Sequence, residues 1–131
     1  MIDSYGDIKI TAGGDYEDGL HLEDELGLTV FDSTWRARME VRETYAGALV
    51  CTFAHPDENE DGTLIVDDNG DIWWEMTADV TATLPPTYDD EGKAGAALFA
   101  DLELWLPSAP TRRKKPTTPF RVFITPEVTQ G

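Results

Sequence analysis

The sequence has few basic residues: 10 Lys and Arg stand against 26 Asp and Glu in 131 residues, for a formal net charge of −16. This balance argues against a nucleic-acid partner, since phosphate binding needs a basic surface. A single cysteine, Cys51, excludes an internal disulfide and a cysteine-built zinc site. No apolar run approaches the roughly 20 residues of a membrane span, and the N-terminus lacks the features of a signal peptide. We therefore expect an acidic, soluble protein from a reducing cytoplasm, with no membrane partner.

The main pattern in the sequence is an alternation of apolar and polar residues. Over residues 35–42, for example, Ala37 and Met39 lie on one face of an extended chain, and Arg36 and Arg38 on the other. This pattern is typical of a half-buried strand. Turn signals every 8–12 residues favour an antiparallel sandwich or barrel. Eight candidate strands lie at residues 8–12, 20–22, 35–42, 49–53, 63–67, 71–76, 98–106 and 120–125.

The segments between the strands carry their own signals. Asn69-Gly70, in the turn that joins two candidate strands, favours a type I′ hairpin. One short helix is predicted near 77–84, capped by Thr77. The Pro-rich segments 85–95 and 107–119 are predicted to be long loops, which are often functional or mobile. The prediction is one β-sandwich domain over residues 1–131.

Several short motifs follow one another in a familiar order and cover roughly residues 7–129. They are a Gly-Asp turn (Gly14-Asp15), a strand of basic and apolar residues (Arg36–Arg42), a Thr-Ala-x-x-Thr-Ala segment (Thr77–Pro85), an Asp-Leu-Glu-Leu strand (Asp101–Leu104) and a closing Thr-Pro-Glu-Val-Thr (Thr125–Thr129). In this order they resemble small structural proteins of tailed bacteriophages with an immunoglobulin-like β-sandwich, similar to the N-terminal domain of upper baseplate proteins.

This resemblance implies an antiparallel, immunoglobulin-like sandwich of about seven or eight strands. It also implies a structural virion protein at the tail, baseplate or fibre-attachment region, with no enzymatic activity and no cofactor. Its partners would be other virion proteins in several symmetry-related copies, and it would be assembled in the cytoplasm of the host bacterium. Two alternatives stay open: a capsid decoration protein, and a calcium-assisted carbohydrate-binding module.

The calcium alternative depends on residues 57–68. Asp57, Asn59 and Asp61 occupy positions 1, 3 and 5 of a calcium-loop spacing, and Asp68 occupies position 12. Alternating oxygen ligands around a tight turn suit a hard cation. However, Asp68 is shorter than the usual Glu, and the flanking segments resemble strands. A solvated acidic loop is therefore the other interpretation.

Two further patterns suggest catalysis. Cys51 with His21 or His55 is a candidate nucleophile pair, although Cys51 shares an apolar face with its neighbours and is more typical of a core position. Paired carboxylates are the catalytic groups of glycoside hydrolases. In so acidic a chain, such residues are more typical of a solubilising surface. The candidate carboxylates are Glu17, Asp18, Glu23, Asp24 and Glu25.

Candidate interface residues come from aromatic and basic side chains. Trp73 and Trp105 fall on the outer faces of their strands, which indicates a protein interface, packing within the chain, or a sugar platform. Four consecutive basic residues interrupt the 107–119 loop and indicate a docking element for an acidic surface, or else an exposed flexible loop. They are Arg112, Arg113, Lys114 and Lys115.

Overall fold

The computed structural model describes residues 7–28, 30–44, 47–88, 93 and 95–126, and these fold almost entirely into β-strands. One helical turn, α1 (Ala78–Thr81), and a 3₁₀ turn over Pro56–Glu58 accompany them. The predicted all-β, sandwich-like fold is confirmed, whereas the short helix predicted near 77–84 is only this one helical turn. The strands are β1 (Asp7–Thr11), β2 (Tyr16–His21), β3 (Arg36–Arg42), β4 (Leu49–Ala54), β5 (Gly62–Val66), β6 (Asp71–Met76), β7 (Leu98–Trp105) and β8 (Phe120–Thr125).

The strands form one ladder in the order β1-β8-β7-β3-β4-β5-β6-β2. The β4–β5 contact is only two residue pairs long, so it divides the ladder into a five-stranded layer (β1, β8, β7, β3, β4) and a three-stranded layer (β5, β6, β2). The layers face each other across the core. The rings of Tyr16 and Phe53 are 6.2 Å apart between centroids, as are those of Trp74 and Phe120.

The prediction of antiparallel pairing holds for five of the seven strand pairs. The β1–β8 and β4–β5 pairs are parallel. The β4–β5 connection passes from one layer to the other, and such a crossing does not force the chain to reverse as a hairpin does. The antiparallel prediction is therefore wrong for these two pairs.

The β5–β6 hairpin also differs from its prediction. A type I′ turn needs positive φ at both central residues. Here Gly70 has φ 81°, and the sole non-glycine residue with positive φ in the described ranges is Asn59. The carboxylate of Asp67 instead accepts the N–H groups of Asn69 and Asp71, at 2.9 and 3.0 Å. The type I′ prediction is wrong because this side chain organises a different turn.

The predicted inner faces are confirmed for the central strands. Met39 of β3 and Leu102 of β7 are cross-strand partners and are completely buried. β4 is an exception, since Leu49 is exposed although it was expected to share the buried face of Cys51. The opposite face of β4 is buried as well at Thr52, whose N–H donates to Asp61 at 2.9 Å.

Polar contacts attach the link between β1 and β2 to α1. Residues 12–15 link β1 to β2, the two edge strands. The buried Thr81 hydroxyl accepts the N–H of Gly13 at 3.0 Å and lies 2.7 Å from the carbonyl of Gly14. Asp15 accepts the N–H of Ala78 at 2.8 Å, whereas Thr77 makes no side-chain cap. The predicted Thr77 cap is thus replaced by Asp15, which directly precedes β2, the strand that pairs with β6.

Both predicted loops are attached to the sheet in their described parts. Thr87 exchanges hydrogen bonds with the backbone of Ile124, and Lys114 exchanges backbone hydrogen bonds of 2.8 and 2.7 Å with Leu104. Residues 89–92 and 94 of the first loop, and 127–129 of the closing motif, lie outside the described residues. No helix in the described part of the chain has the length and hydropathy of a membrane span.

Candidate functional site

The outer face of the three-stranded layer carries an apolar row across its strands. Trp73 is the cross-strand neighbour of both Ile65 and Gly19, and it is 43% exposed, with Ile65 48% exposed. A Cβ placed on Gly19 would lie 2.6 Å from Cε3 of Trp73, so the indole lies directly on the glycine backbone. Glycine in a strand often marks such a close approach. Trp73 therefore forms an exposed platform, in agreement with its predicted outer position.

The next row on this face is polar. Glu75 lies opposite Thr63 on one side and opposite Glu17 on the other. Directly opposed like charges destabilise a sheet. Two adjoining depressions of about 340 and 180 Å³ share these three residues, and Trp73 lines the smaller one. We call this surface, defined by Glu17, Glu75 and Trp73, the acidic groove.

The second predicted interface aromatic is covered by the chain itself. Trp105 is only 9% exposed, and the guanidinium carbon of Arg113 lies 3.6 Å from its ring centroid. This distance is within the range of a cation–π interaction. Of the three interpretations of Trp105, the structure favours packing within the chain, because Arg113 of the 107–119 loop lies over the ring.

The four basic residues divide into two pairs, and we call residues 112–115 the basic segment. Lys115 lies 2.8 Å from Asp101 and 3.4 Å from Glu103, and the hydrogen bond to Asp101 raises its pKa. Arg113 is stacked on Trp105 as described above. The side chains of Arg112 and Lys114 alternate with these, are exposed, and have no acidic partner within the described ranges. The free cations of the predicted docking element are thus two rather than four.

The structure does not bring the four residues of the calcium hypothesis together. Asp61 precedes β5 and Asp68 follows it, so a strand separates them. Asp68 accepts the N–H of Ser33 at 3.1 Å, and hydrogen bonds from Ser33 lower its pKa. Asp57 and Asn59 lie in and directly after the 3₁₀ turn. Within the described residues, no group of three or more acidic, histidine or cysteine side chains is placed to hold a metal ion.

The candidate nucleophile pair is also not assembled. Cys51 is buried, and burial raises its pKa to about 12, so the thiol stays protonated near neutral pH. His21 is held between Glu23 and Asp71, at 2.7 Å from each. The ring of His55 accepts a backbone N–H in its own turn. Neither imidazole is therefore positioned as a base for this thiol.

The candidate catalytic carboxylates have separate local contacts. Asp24 accepts the N–H groups of Leu26 and Leu28, at 2.8 and 3.0 Å, and so shapes the turn after β2. This turn presents Leu26 and Leu28 to solvent, 83% and 61% exposed. Asp18 accepts the N–H of Gly19, and Glu17 alone of the five lines the groove. They form local turns and a groove wall rather than one catalytic pair.

Sequence reasoning missed the partners of Trp73. Gly19, directly before the candidate strand at 20–22, was a usable signal, since a glycine in a strand indicates close approach of another group. The opposition of Glu17 and Glu75 had no local signal, because it depends on the β2–β6 register across 58 residues of chain.

No family model matches the chain, and a search of curated proteins gives no significant match.

Proposed function

We propose that this chain is a structural, non-enzymatic virion protein of a tailed bacteriophage, which acts through protein–protein contacts at the tail, baseplate or fibre-attachment region. The order of short motifs from Gly14-Asp15 to Thr125–Thr129 carries the proposal. Two of these motifs contact each other: Gly14-Asp15 binds α1 in the Thr77–Pro85 segment. These two motifs, 63 residues apart, therefore form one contact within the fold.

The surface of the sandwich supports a role in protein contacts. Leu26, Leu28, Ile65 and Trp73 are large apolar side chains that face solvent from strands or a hydrogen-bonded turn. Ile65 and Trp73 are cross-strand neighbours, and adjoining exposed apolar groups with a polar rim commonly mark protein interfaces, where Trp is enriched. The net charge of −16 would keep free subunits soluble before they are assembled.

Mass spectrometry of purified particles tests the proposal directly. We expect the protein to be present at a copy number fixed by tail symmetry, and a labelled copy to map to the tail. Absence from purified particles would overturn the proposal. Mapping to the head would replace the tail location by capsid decoration.

A pair of matched variants tests the basic segment. Arg112→Ser with Lys114→Ser removes the free cations, and we expect it to fold normally but to enter particles poorly. Arg113→Ser with Lys115→Ser removes the same charge but breaks contacts within the chain, so it should lower the melting temperature more than incorporation. Normal incorporation of the first variant would eliminate the basic segment as a docking element.

A further inference from the structure

The acidic groove has the chemistry of a binding site for cations. Glu17 and Glu75 oppose each other across the β2–β6 pair, and neither has a basic partner among the described residues. A bound cation would relieve this repulsion. Trp73 beside them offers an exposed ring face, on which a guanidinium stacks favourably. The groove is therefore suited to an extended segment that carries two basic side chains.

The chain itself contains such a segment. Lys114 is in an antiparallel bridge with Leu104, and Arg112 and Lys114, on either side of the stacked Arg113, are exposed. Residues two apart in an extended chain are about 6.6 Å apart. Trp73 and Glu75 are likewise two apart on β6. Arg112 can therefore lie on Trp73 while Lys114 lies between the two carboxylates.

We propose that the acidic groove of one copy binds the basic segment of a second copy. The groove lies on the three-stranded layer and the basic segment is attached to β7 of the five-stranded layer. The two surfaces are different, so the contact is head to tail and builds either a closed ring or a filament. The inference deepens the proposed function, on which it rests for the presence of several copies in one particle.

The salt concentration determines whether this contact between copies can be measured. Copies that each carry a charge of −16 repel at long range. At an ionic strength of about 0.1 M the Debye length is about 10 Å, so the distant charges are screened while the close contacts persist. Sedimentation velocity of the purified chain under these conditions, over a wide range of concentration, is the measurement of choice.

Two charge reversals provide the test. The groove-reversed protein carries Glu17→Lys and Glu75→Lys, and the segment-reversed protein carries Arg112→Glu and Lys114→Glu. We expect each alone to associate at least about tenfold more weakly than the unmodified chain. An equimolar mixture should regain association, because each reversed surface then meets its opposite on the other protein.

The control variant for the groove reversal has the same change in net charge at exposed sites outside the groove, Glu25→Lys with Glu43→Lys. It should associate like the unmodified chain. Circular dichroism checks that each variant is folded. If the groove-reversed protein does not fold, the milder variant Glu17→Gln with Glu75→Gln takes its place.

Three results would overturn the inference: a monomeric unmodified chain at every concentration, association insensitive to both reversals, or a mixture that does not recover. If the chain is monomeric but the groove reversal prevents incorporation, the groove binds a basic segment of another virion protein, and the proposed function stands. If the monomeric chain is retained on immobilised glycans, a sugar occupies the groove. If the chain associates as predicted but is absent from particles, the proposed function fails and this inference survives.

Discussion

The two layers of the sandwich share one core but differ on their outer faces. On the five-stranded layer, outward side chains are paired within the chain: Arg38 lies 3.6 Å from Glu58, and Arg113 covers Trp105. On the three-stranded layer, Trp73 stays exposed beside two opposed carboxylates. Both faces have the same alternating pattern in sequence. The pattern therefore reports which way a side chain points, but not whether anything covers it.

This difference indicates that one outer face contributes to the stability of the fold and the other is left for binding. A covered outer face contributes to the free energy of folding, because its side chains lose exposure and gain partners. An uncovered one keeps its apolar area and its charges for another molecule. Variants of the shared core and of the two outer faces test this division.

The largest effect is expected from charges placed in the core from either layer. Met39→Asp and Leu64→Asp would each bury an unpaired carboxylate at a site that is at most 1% exposed. The penalty of several kcal/mol is comparable to the total stability of a small domain, about 5–15 kcal/mol. We expect no cooperative thermal unfolding in circular dichroism for either variant. Arg38→Gln, on the outer face, should melt cooperatively; equal damage there would invalidate the face assignment.

The two outer tryptophans should differ in their contribution to stability. Trp105→Ala removes a nearly buried ring and its contact with Arg113, and we expect a loss of about 3 kcal/mol. Trp73→Ala removes a half-exposed ring and should cost about 1 kcal/mol or less. Urea denaturation followed by circular dichroism measures both. Equal losses would mean that the outer faces do not differ as described.

A smaller loss of stability is expected from a change at Gly19, which lies beneath the ring of Trp73. Gly19→Ala would place a Cβ 2.6 Å from the indole and 2.7 Å from the carbonyl of Ile72, so the ring must move. We expect a loss of about 1–3 kcal/mol and a change in tryptophan fluorescence. Gly14→Ala is the control, since its Cβ would meet only one atom, at 3.5 Å. If Gly19→Ala keeps the fluorescence and stability of the unmodified chain, the indole does not rest on this glycine.

The smallest effect concerns His21 at the end of β2. Hydrogen bonds to Glu23 and then to Asp71 raise its pKa above the ordinary value, so the folded state favours the protonated ring. This stabilisation is complete below a pH of about 6.5 and is lost as the pH rises through the raised pKa. His21 is exposed, which keeps the effect small. The difference in melting temperature between the unmodified chain and His21→Gln should shrink as the pH rises, and growth instead would contradict this pairing.

The sequence by itself determined the strands and their inner faces. Period-two alternation is a local property, so residues 35–42 and 98–106 predict buried rows without any knowledge of their neighbours. The same locality identified Trp73 as an outward ring and located the basic segment. It could not predict parallel pairing or the β5–β6 turn, because these depend on the route of the chain and on a side-chain acceptor, Asp67.

Only the tertiary structure determined which distant residues contact each other. Gly13 and Thr81, 68 residues apart, form a hydrogen bond that attaches the link between β1 and β2 to α1. The opposition of Glu17 and Glu75 likewise depends on the pairing of distant strands. Trp105 is covered and Trp73 is not, because a loop folds back over the first strand face and none of the described residues does so over the second. Such contacts depend on register and loop path, which the folding of the whole core sets and no local pattern encodes.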